Sequence, residues 1–333
     1  MERDVRITCR EISEKLGISI PSVQKRIASL EGTGRILGYT AHIGLQALGG
    51  SMAVVQGRSG ADFAPDLVDE LGKNDSIMTV ICGNQNNLVI AAFLRDISDL
   101  DNVVSFIRNE GKIPDPEVLL VNQGSDISCT RLVRSKERPQ LADLTDLDMK
   151  IIWALHKDAR RPISDVAEEI GVSSKTVGRR LARMMDRGSI DLHVMAVPNL
   201  DEDLQIILQV RLSPGAERAD IVEQVRRLGG DFVDEDLTFS NSPDLVMFVL
   251  FTQTLMELKG LLFQVREIEG VAKVSFDTAL YQKYFDTWRD DLLAERVEQI
   301  KRRGGRNEVP GGTRSKESSS RPEAGTLRRS KQA

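Results

Sequence analysis

Ser173, Ser174, Lys175 and Thr176 stand in a row just after Gly171-Val172, and Arg179, Arg180 and Arg183 follow them at helical spacing. Hydroxyls and free N–H groups at a helix start can hold a phosphate, and guanidinium groups further along can reach phosphates or base edges. With Val177 at 0° and about 100° per residue, Lys175 falls at about 160°, Arg179 at about 200° and Arg183 at about 240°. Arg180 lies on the flank at about 300°, and Val177, Leu181, Met184 and Met185 share the apolar side. A helix that packs by one face and is cationic on the other suits a DNA major groove.

Other chemistry is thin. No G-x-S-x-G, G-x-x-x-x-G-K-[ST] or H-E-x-x-H occurs, so no catalytic set and no cofactor are expected. His42, His156 and His193 are far apart, without a cysteine or second histidine at ligand spacing, so no metal site is expected. Cys9, Cys82 and Cys129 form neither a disulfide framework nor a C-x-x-C pair, which fits a reducing cytoplasm. The acidic run Asp231, Asp234, Glu235 and Asp236 lacks an accompanying histidine and reads as a solvated edge.

The elements that carry the cationic helix occur twice. Residues 6–43 align without a gap with 160–197, with nine identities in 38 positions. Gly17-Ile18-Ser19 answers Gly171-Val172-Ser173, Val23 answers Val177, Arg26 answers Arg180, and Arg6 answers Arg160. Each copy reads as two short helices around a tight turn: glycine ends the first helix, serine caps the second, and Gly34 or Gly188 ends it before a β-prone stretch. In the first copy only Lys25 and Arg26 remain cationic on the second helix, with Ser19 and Ser22 at its start. The second copy is therefore expected to dominate any hold on DNA.

Behind each copy lies a second repeated unit. Strand-like and helical stretches at 52–56, 63–71, 77–82, 88–94, 103–107 and 118–121 follow a β-α-β-β-α-β order. The same order returns at 206–212, 219–228, 232–239, 245–251, 255–268 and 271–276. The predicted class is α+β, with tandem helix-turn-helix and ferredoxin-like units. The expected division is 1–45, 50–122, a linker at 123–142, then 143–198 and 203–303, the last unit ending in a helix over 281–302. The final stretch, 304–333, lacks periodic apolar residues and is expected to be a disordered basic tail.

Composition is that of a globular chain: 333 residues, 41% apolar and 29% charged. The longest apolar run, 245–251, is far short of a bilayer span, and residues 1–30 carry charge throughout, so membrane or secreted placement is not expected. The net charge of −5 hides a segregation that matters for a polyanion partner. Residues 1–36 and 146–190 each carry +2 and the last 33 residues +7, against −6 over 50–122 and −10 over 200–300. The tail could thus add nonspecific DNA affinity.

Leu144-Thr145-Asp146-Leu147-Asp148, Ile151-Ile152-Trp153-Ala154-Leu155 and Asp158-Ala159-Arg160-Arg161, followed by Gly171-Val172-Ser173 and Gly188-Ser189-Ile190, resemble the opening of Lrp/AsnC transcriptional regulators. Gly270-Val271 before the last strand is similar to that family's αβ domain. The resemblance implies winged helix-turn-helix units that bind double-stranded DNA, and αβ domains that pair, oligomerise and take an amino-acid effector. One chain would then mimic the usual dimer through intrachain pairing of its αβ domains, with a homo-oligomer beyond that left open. The polar turns at Asn84, Asn86 and Asn87, and at Ser242 and Asp244, lie at sheet ends and read as a small polar pocket, which makes them the candidates for such an effector. In the first copy no helix corresponds to 147–155, so this unit is expected to be poorly supported or to borrow packing. Two alternatives stand: an enzyme resembling the sirohaem decarboxylases, which also come as paired halves, and a small-molecule sensor without DNA binding.

Overall fold

The computed structural model describes residues 5–62, 64–122, 125–127, 130–131, 139–197, 204–230 and 233–306. The basic tail predicted from 304 onward lies almost wholly outside them.

The chain begins with α1 (Cys9–Leu16) and α2 (Ile20–Gly32), capped by Thr8 and Ser19, with Gly17 between them in the left-handed region at φ 64°. Strand β1 (Ile36–Ile43) follows. The first αβ unit comprises β2 (Ser51–Arg58), α3 (Pro65–Leu71), β3 (Ile77–Cys82), β4 (Asn87–Leu94), α4 (Leu100–Glu110) and β5 (Glu117–Leu120). Two short pieces, β6 (Asp126–Ile127) and β7 (Thr130–Arg131), then lead to α5 (Asp146–His156), α6 (Ile163–Ile170), α7 (Ser174–Arg187) and β8 (Ile190–Ala196). The second αβ unit comprises β9 (Leu204–Leu212), α8 (Arg218–Gly229), β10 (Val233–Thr238), β11 (Leu245–Thr252), α9 (Leu255–Arg266) and β12 (Val271–Thr278). Strand β13 (Tyr281–Tyr284) and α10 (Trp288–Arg306) close the described chain.

The two αβ sheets run β5-β2-β4-β3-β13 and β12-β9-β11-β10-β6-β7, antiparallel throughout. Each unit lends its downstream strand to the other's edge: β13 pairs with β3, and β6 pairs with β10. This covers two edges whose unpaired N–H and C=O groups would otherwise face solvent. It also departs from the sequence expectation in two places. Residues 281–284 were predicted as the start of a helix and form a strand, because α10 begins only where Asp290 accepts from the Thr287 N–H at 2.7 Å and its hydroxyl at 3.1 Å. The segment predicted as a linker contributes β6 and β7 to a sheet.

Alternation within the strands divides the apolar residues between two sides. One side of each sheet meets the other sheet, where Met52, Val54, Val89 and Phe93 pack with Ile207, Leu237, Met247 and Trp288. The opposite sides are covered by their own helices, α3 and α4 in the first unit and α8 and α9 in the second. A fourth core gathers β1, α5, α6, α7 and β8 around Ile43, Ile152, Val177 and Leu181, with Leu293 and Val297 reaching in from α10. β1 and β8 pair antiparallel with Thr40 opposite His193. Just beyond, a Cβ on Gly44 would stand 2.1 Å from the Gly188 carbonyl oxygen, so the two wing segments approach as only glycine allows. No helix of the described residues is long and apolar enough to cross a membrane.

Candidate nucleic-acid interface

In the second helix-turn-helix, α6 stops at Gly171 with φ 77°, and Ser173 caps α7 by accepting from the Thr176 N–H at 3.2 Å. The Ser173 and Thr176 hydroxyls lie 2.9 Å apart and hydrogen-bond each other, so both serve the cap. Val177, Leu181 and Met184 are buried, each contributing roughly 1.5–3 kcal/mol of apolar burial. Ser174, Lys175, Arg179, Arg183 and Arg187 are exposed on the outer side. Arg187 was not singled out from sequence; it lies one turn beyond Arg183 and extends the same stripe.

Arg180, also a sequence candidate for DNA contact, is held by α5. Its Nη1 donates to Asp148 Oδ1 at 2.9 Å and to the Thr145 hydroxyl at 3.0 Å. Arg183 donates to Asp148 Oδ2 at 3.3 Å while its side chain stays 47% exposed. Asp148 is fully buried and takes two further bonds from the Thr145 N–H and hydroxyl, at 3.0 and 2.7 Å. Burial by itself would raise this carboxyl's pKa, but the Thr145 and Arg180 bonds outweigh it and hold the group below the usual carboxylate range. Asp148 thus locks the orientation of α7 against α5. Sequence reasoning placed it in the resembling stretch but gave it no role, although Thr145-x-x-Asp148 is a legible capping pattern.

The first helix-turn-helix repeats the cap, with the Ser22 N–H donating to Ser19 Oγ at 3.3 Å. Lys25 and Arg26 are exposed on α2, but Val23 is its one buried residue, and Leu16 and Ile20 are 58% and 40% exposed. No counterpart of α5 covers this unit among the described residues. It borrows support from the second copy, whose backbone Arg6 reaches, and within the unit Tyr39 of β1 donates to Glu31 at 2.9 Å.

The effector candidates do not converge. The Asn84 N–H and the Asn87 amide donate to the two oxygens of Asp277, at 2.9 and 2.8 Å, across the seam between the αβ units. Asn86 shares that turn, with φ 60°. Asp244 instead accepts from Arg211 at 3.1 Å and from the Ser242 hydroxyl at 3.3 Å. The cavity between the sheets is only about 70 Å³ and is lined by Met52, Val54, Ile207 and Met247 rather than by either turn. In the acidic run, Asp236 is buried and paired with Arg226, while Asp231 lies outside the described residues.

The three histidines, scattered in sequence, meet in space. The His42 ring centroid lies 5.2 Å from those of both His156 and His193. They line a cavity of about 360 Å³ between β1, β8, α5 and the start of α10. Burial lowers the His42 pKa. Burial alone would raise that of Asp290, but the bonds from His42 and from the Thr287 N–H hold it well below the carboxylate range. Beneath them Arg289, with a side chain 1% exposed, binds Asp191 at 2.5 Å and the Ile43 carbonyl at 2.6 Å.

The sequence profile of the AsnC-type helix-turn-helix domain matches residues 144–185, and that of a winged helix-turn-helix DNA-binding domain matches residues 1–36. The HTH-type transcriptional regulator LrpA of Pyrococcus horikoshii is 30% identical over 110 residues, covering 32% of this chain and 76% of that protein. The chain belongs to the Lrp/AsnC family. The HTH-type transcriptional regulator LysM of Sulfurisphaera tokodaii is 24% identical over 132 residues, covering 39% of this chain and 91% of that protein.

The matches to these relatives cover about a third of this Lrp/AsnC chain, 32% and 39%, close to the length of one repeat. The two-repeat arrangement has a solved counterpart in the siroheme decarboxylase NirDL bound to an iron-uroporphyrin III analogue. That likeness has a TM-score of 0.51 over 90% of this chain and 92% of that one. At 16% identity it is a likeness of fold.

Proposed function

We propose that this Lrp/AsnC chain is a sequence-specific DNA-binding transcriptional regulator acting on double-stranded DNA, in which one polypeptide holds two reading units in a fixed relation. The observation that carries this reading is the outer face of α7, where Lys175, Arg179, Arg183 and Arg187 are exposed while Val177, Leu181 and Met184 are buried and Asp148 fixes the helix. Such a helix offers cations to phosphates and base edges from a rigid mount. Ser173, Ser174 and Thr176 lie at its start and Arg180 sets its pose. Ser19, Ser22, Lys25 and Arg26 give the first unit a weaker version of the same face, set on a thinner core.

The test is a salt-resolved fluorescence titration with the DNA upstream of the chain's own coding sequence. Binding that survives competitor DNA and drops for Arg179→Ala supports the reading; no sequence-preferred binding across a panel of promoter DNAs overturns it. A tetrapyrrole absorbance band retained through purification would favour the enzyme reading instead.

We further infer that an amino-acid effector, where one acts, would engage the seam of Asn84, Asn86, Asn87 and Asp277. Its ammonium group would replace the two Asn donors on the Asp277 carboxylate. Ser242 and Asp244, 3.3 Å apart, would form a second such turn, where an effector carboxylate would take Arg211 from its present partners Asp244 and Glu117. Calorimetric titration with the common amino acids, repeated on Asp277→Asn, tests this; heats unchanged by the substitution would remove the site.

A further inference from the structure

His156 presents an unusual demand. Its Nδ1 lies 2.9 Å from the Ala41 carbonyl oxygen, which can only accept, so Nδ1 carries a proton. In the neutral ring Nε2 is then a bare lone pair, and it faces Asp290 Oδ1 at 3.6 Å. Two electron-pair donors confront one another, an arrangement that a shared cation stabilises. A ring nitrogen held by a backbone carbonyl with the other turned to a carboxylate is also how metal-bound histidines are commonly oriented.

The rest of the cluster fits that role. His42 Nε2 lies 2.8 Å from the same Asp290 Oδ1, and the donor atoms of His42, His156 and Asp290 lie within 4.8 Å of one another. Asp290 Oδ2 is occupied by the Thr287 N–H and hydroxyl, which leaves Oδ1 turned to the rings. Ligands about 2.0–2.1 Å from a tetrahedral ion stand roughly 3.3–3.4 Å apart, so shifts of under an ångström suffice. His42 and His193 are nine-tenths buried, so the rings face the cavity rather than bulk water. The cavity of about 360 Å³ gives room for a water or exchangeable fourth ligand, and the His156 side chain, 18% exposed, marks a way in. Nearby Arg289 is neutralised by Asp191, while Lys157 and Asp286 line the cavity with opposite charges.

We propose that His42, His156 and Asp290 form a binding site for one divalent transition ion of the Zn²⁺ class, at the junction of β1, α5 and α10. Two imidazoles and one carboxylate with an open position favour such an ion over Mg²⁺ or Ca²⁺, which take oxygen ligands. The site joins a wing strand, the helix that supports α7 and the helix that ends the second αβ unit. Its occupancy would pin the second helix-turn-helix to the paired sheets.

The experiment uses the full chain stripped with chelator and titrated with Co²⁺ as the spectroscopic probe, then with Zn²⁺ in competition, in parallel with His156→Gln and Asp290→Asn. The wild type is expected to bind one equivalent of Co²⁺, showing visible ligand-field bands of a low-coordinate ion, and Zn²⁺ is expected to displace it. His156→Gln is expected to bind more than about 100-fold more weakly. Thermal melts with and without Zn²⁺ separate a lost site from a lost fold: a cooperative melt that Zn²⁺ raises in the wild type and leaves unmoved in His156→Gln supports the site. Absence of stoichiometric Co²⁺ binding in the wild type overturns it, as does equal affinity in the variants. Ring NMR showing His156 doubly protonated near neutral pH, unchanged by added Zn²⁺, also overturns it, since an imidazolium then satisfies Asp290. None of these readouts depends on DNA.

Discussion

Arg6 and Arg160, equivalent residues of the two repeats, each cross to the other repeat and grip its backbone. Arg6 Nη2 donates to the Arg161 carbonyl at 3.0 Å and its Nη1 to that of Ala159. Arg160 donates to the Val5 and Ile7 carbonyls at 3.1 and 3.2 Å, and its guanidinium lies 5.3 Å from the Tyr39 ring. A residue shared by two copies because of ancestry thus becomes a reciprocal clasp, with charged donors closing carbonyls at a half-buried seam.

The clasp gives the first prediction. Arg6→Ala and Arg160→Ala each leave two carbonyls without these donors and should cost about 1–3 kcal/mol of local stability. Hydrogen exchange of α1 and α2 should speed up in both variants while exchange in the αβ sheets stays as in the wild type. Arg160→Ala should be the more damaging, since it also loses the Tyr39 contact.

Asp148 should couple stability to acid. Asp148→Ala strands Arg180 and removes the acceptor of the Thr145 N–H, one half of the α5 capping box, at a cost of about 2–3 kcal/mol, less than the 3–5 kcal/mol of a fully buried pair because Arg180 and Arg183 are 24% and 47% exposed. Its folded pKa lies below its unfolded one, so the stability it contributes is present above the unfolded value and lost as pH falls through the folded one. Denaturant melts should therefore show the wild type losing its advantage over Asp148→Asn below about pH 4, and an advantage that persists unchanged to pH 2 would refute the assignment.

On DNA, Arg179→Ala should weaken binding across sequences and reduce the salt slope by about one ion when Arg179 contacts phosphate. Lys25→Ala should cost less, because its helix rests on Val23 alone where α7 rests on three buried residues. Equal losses for the two variants would contradict the ranking of the two units.

Arg289 and Asp191 form a pair whose side chains are both 1% exposed. Asp191→Asn or Arg289→Met alone should destabilise by about 3–5 kcal/mol, since each leaves a buried charge without its counter-charge. The double variant Asp191→Asn/Arg289→Met should recover part of that loss, a coupling that a double-mutant cycle of melting curves measures directly.

Local pattern along the chain was enough for the individual elements and their repetition. Gly17, Gly171 and Gly188 stop helices where φ turns positive, Ser19 and Ser173 cap the next helix, and the apolar spacing of Val177, Leu181 and Met184 sets the face that α7 buries. These are short-range rules, legible within a turn or two of chain. The tertiary structure alone decided which charges are available and which histidines are neighbours. Arg180 looks like a reader on a helical wheel, but Asp148, 32 residues away, makes it a strut. His42 and Asp290 are separated by 248 positions and lie 2.8 Å apart only because β1 pairs with β8 and α10 folds back under that pair. Residues 281–284 likewise take strand form from an edge offered by the other αβ unit, not from their own pattern. Pairing across so many residues depends on how two repeats close on each other, and local periodicity carries no record of that closure.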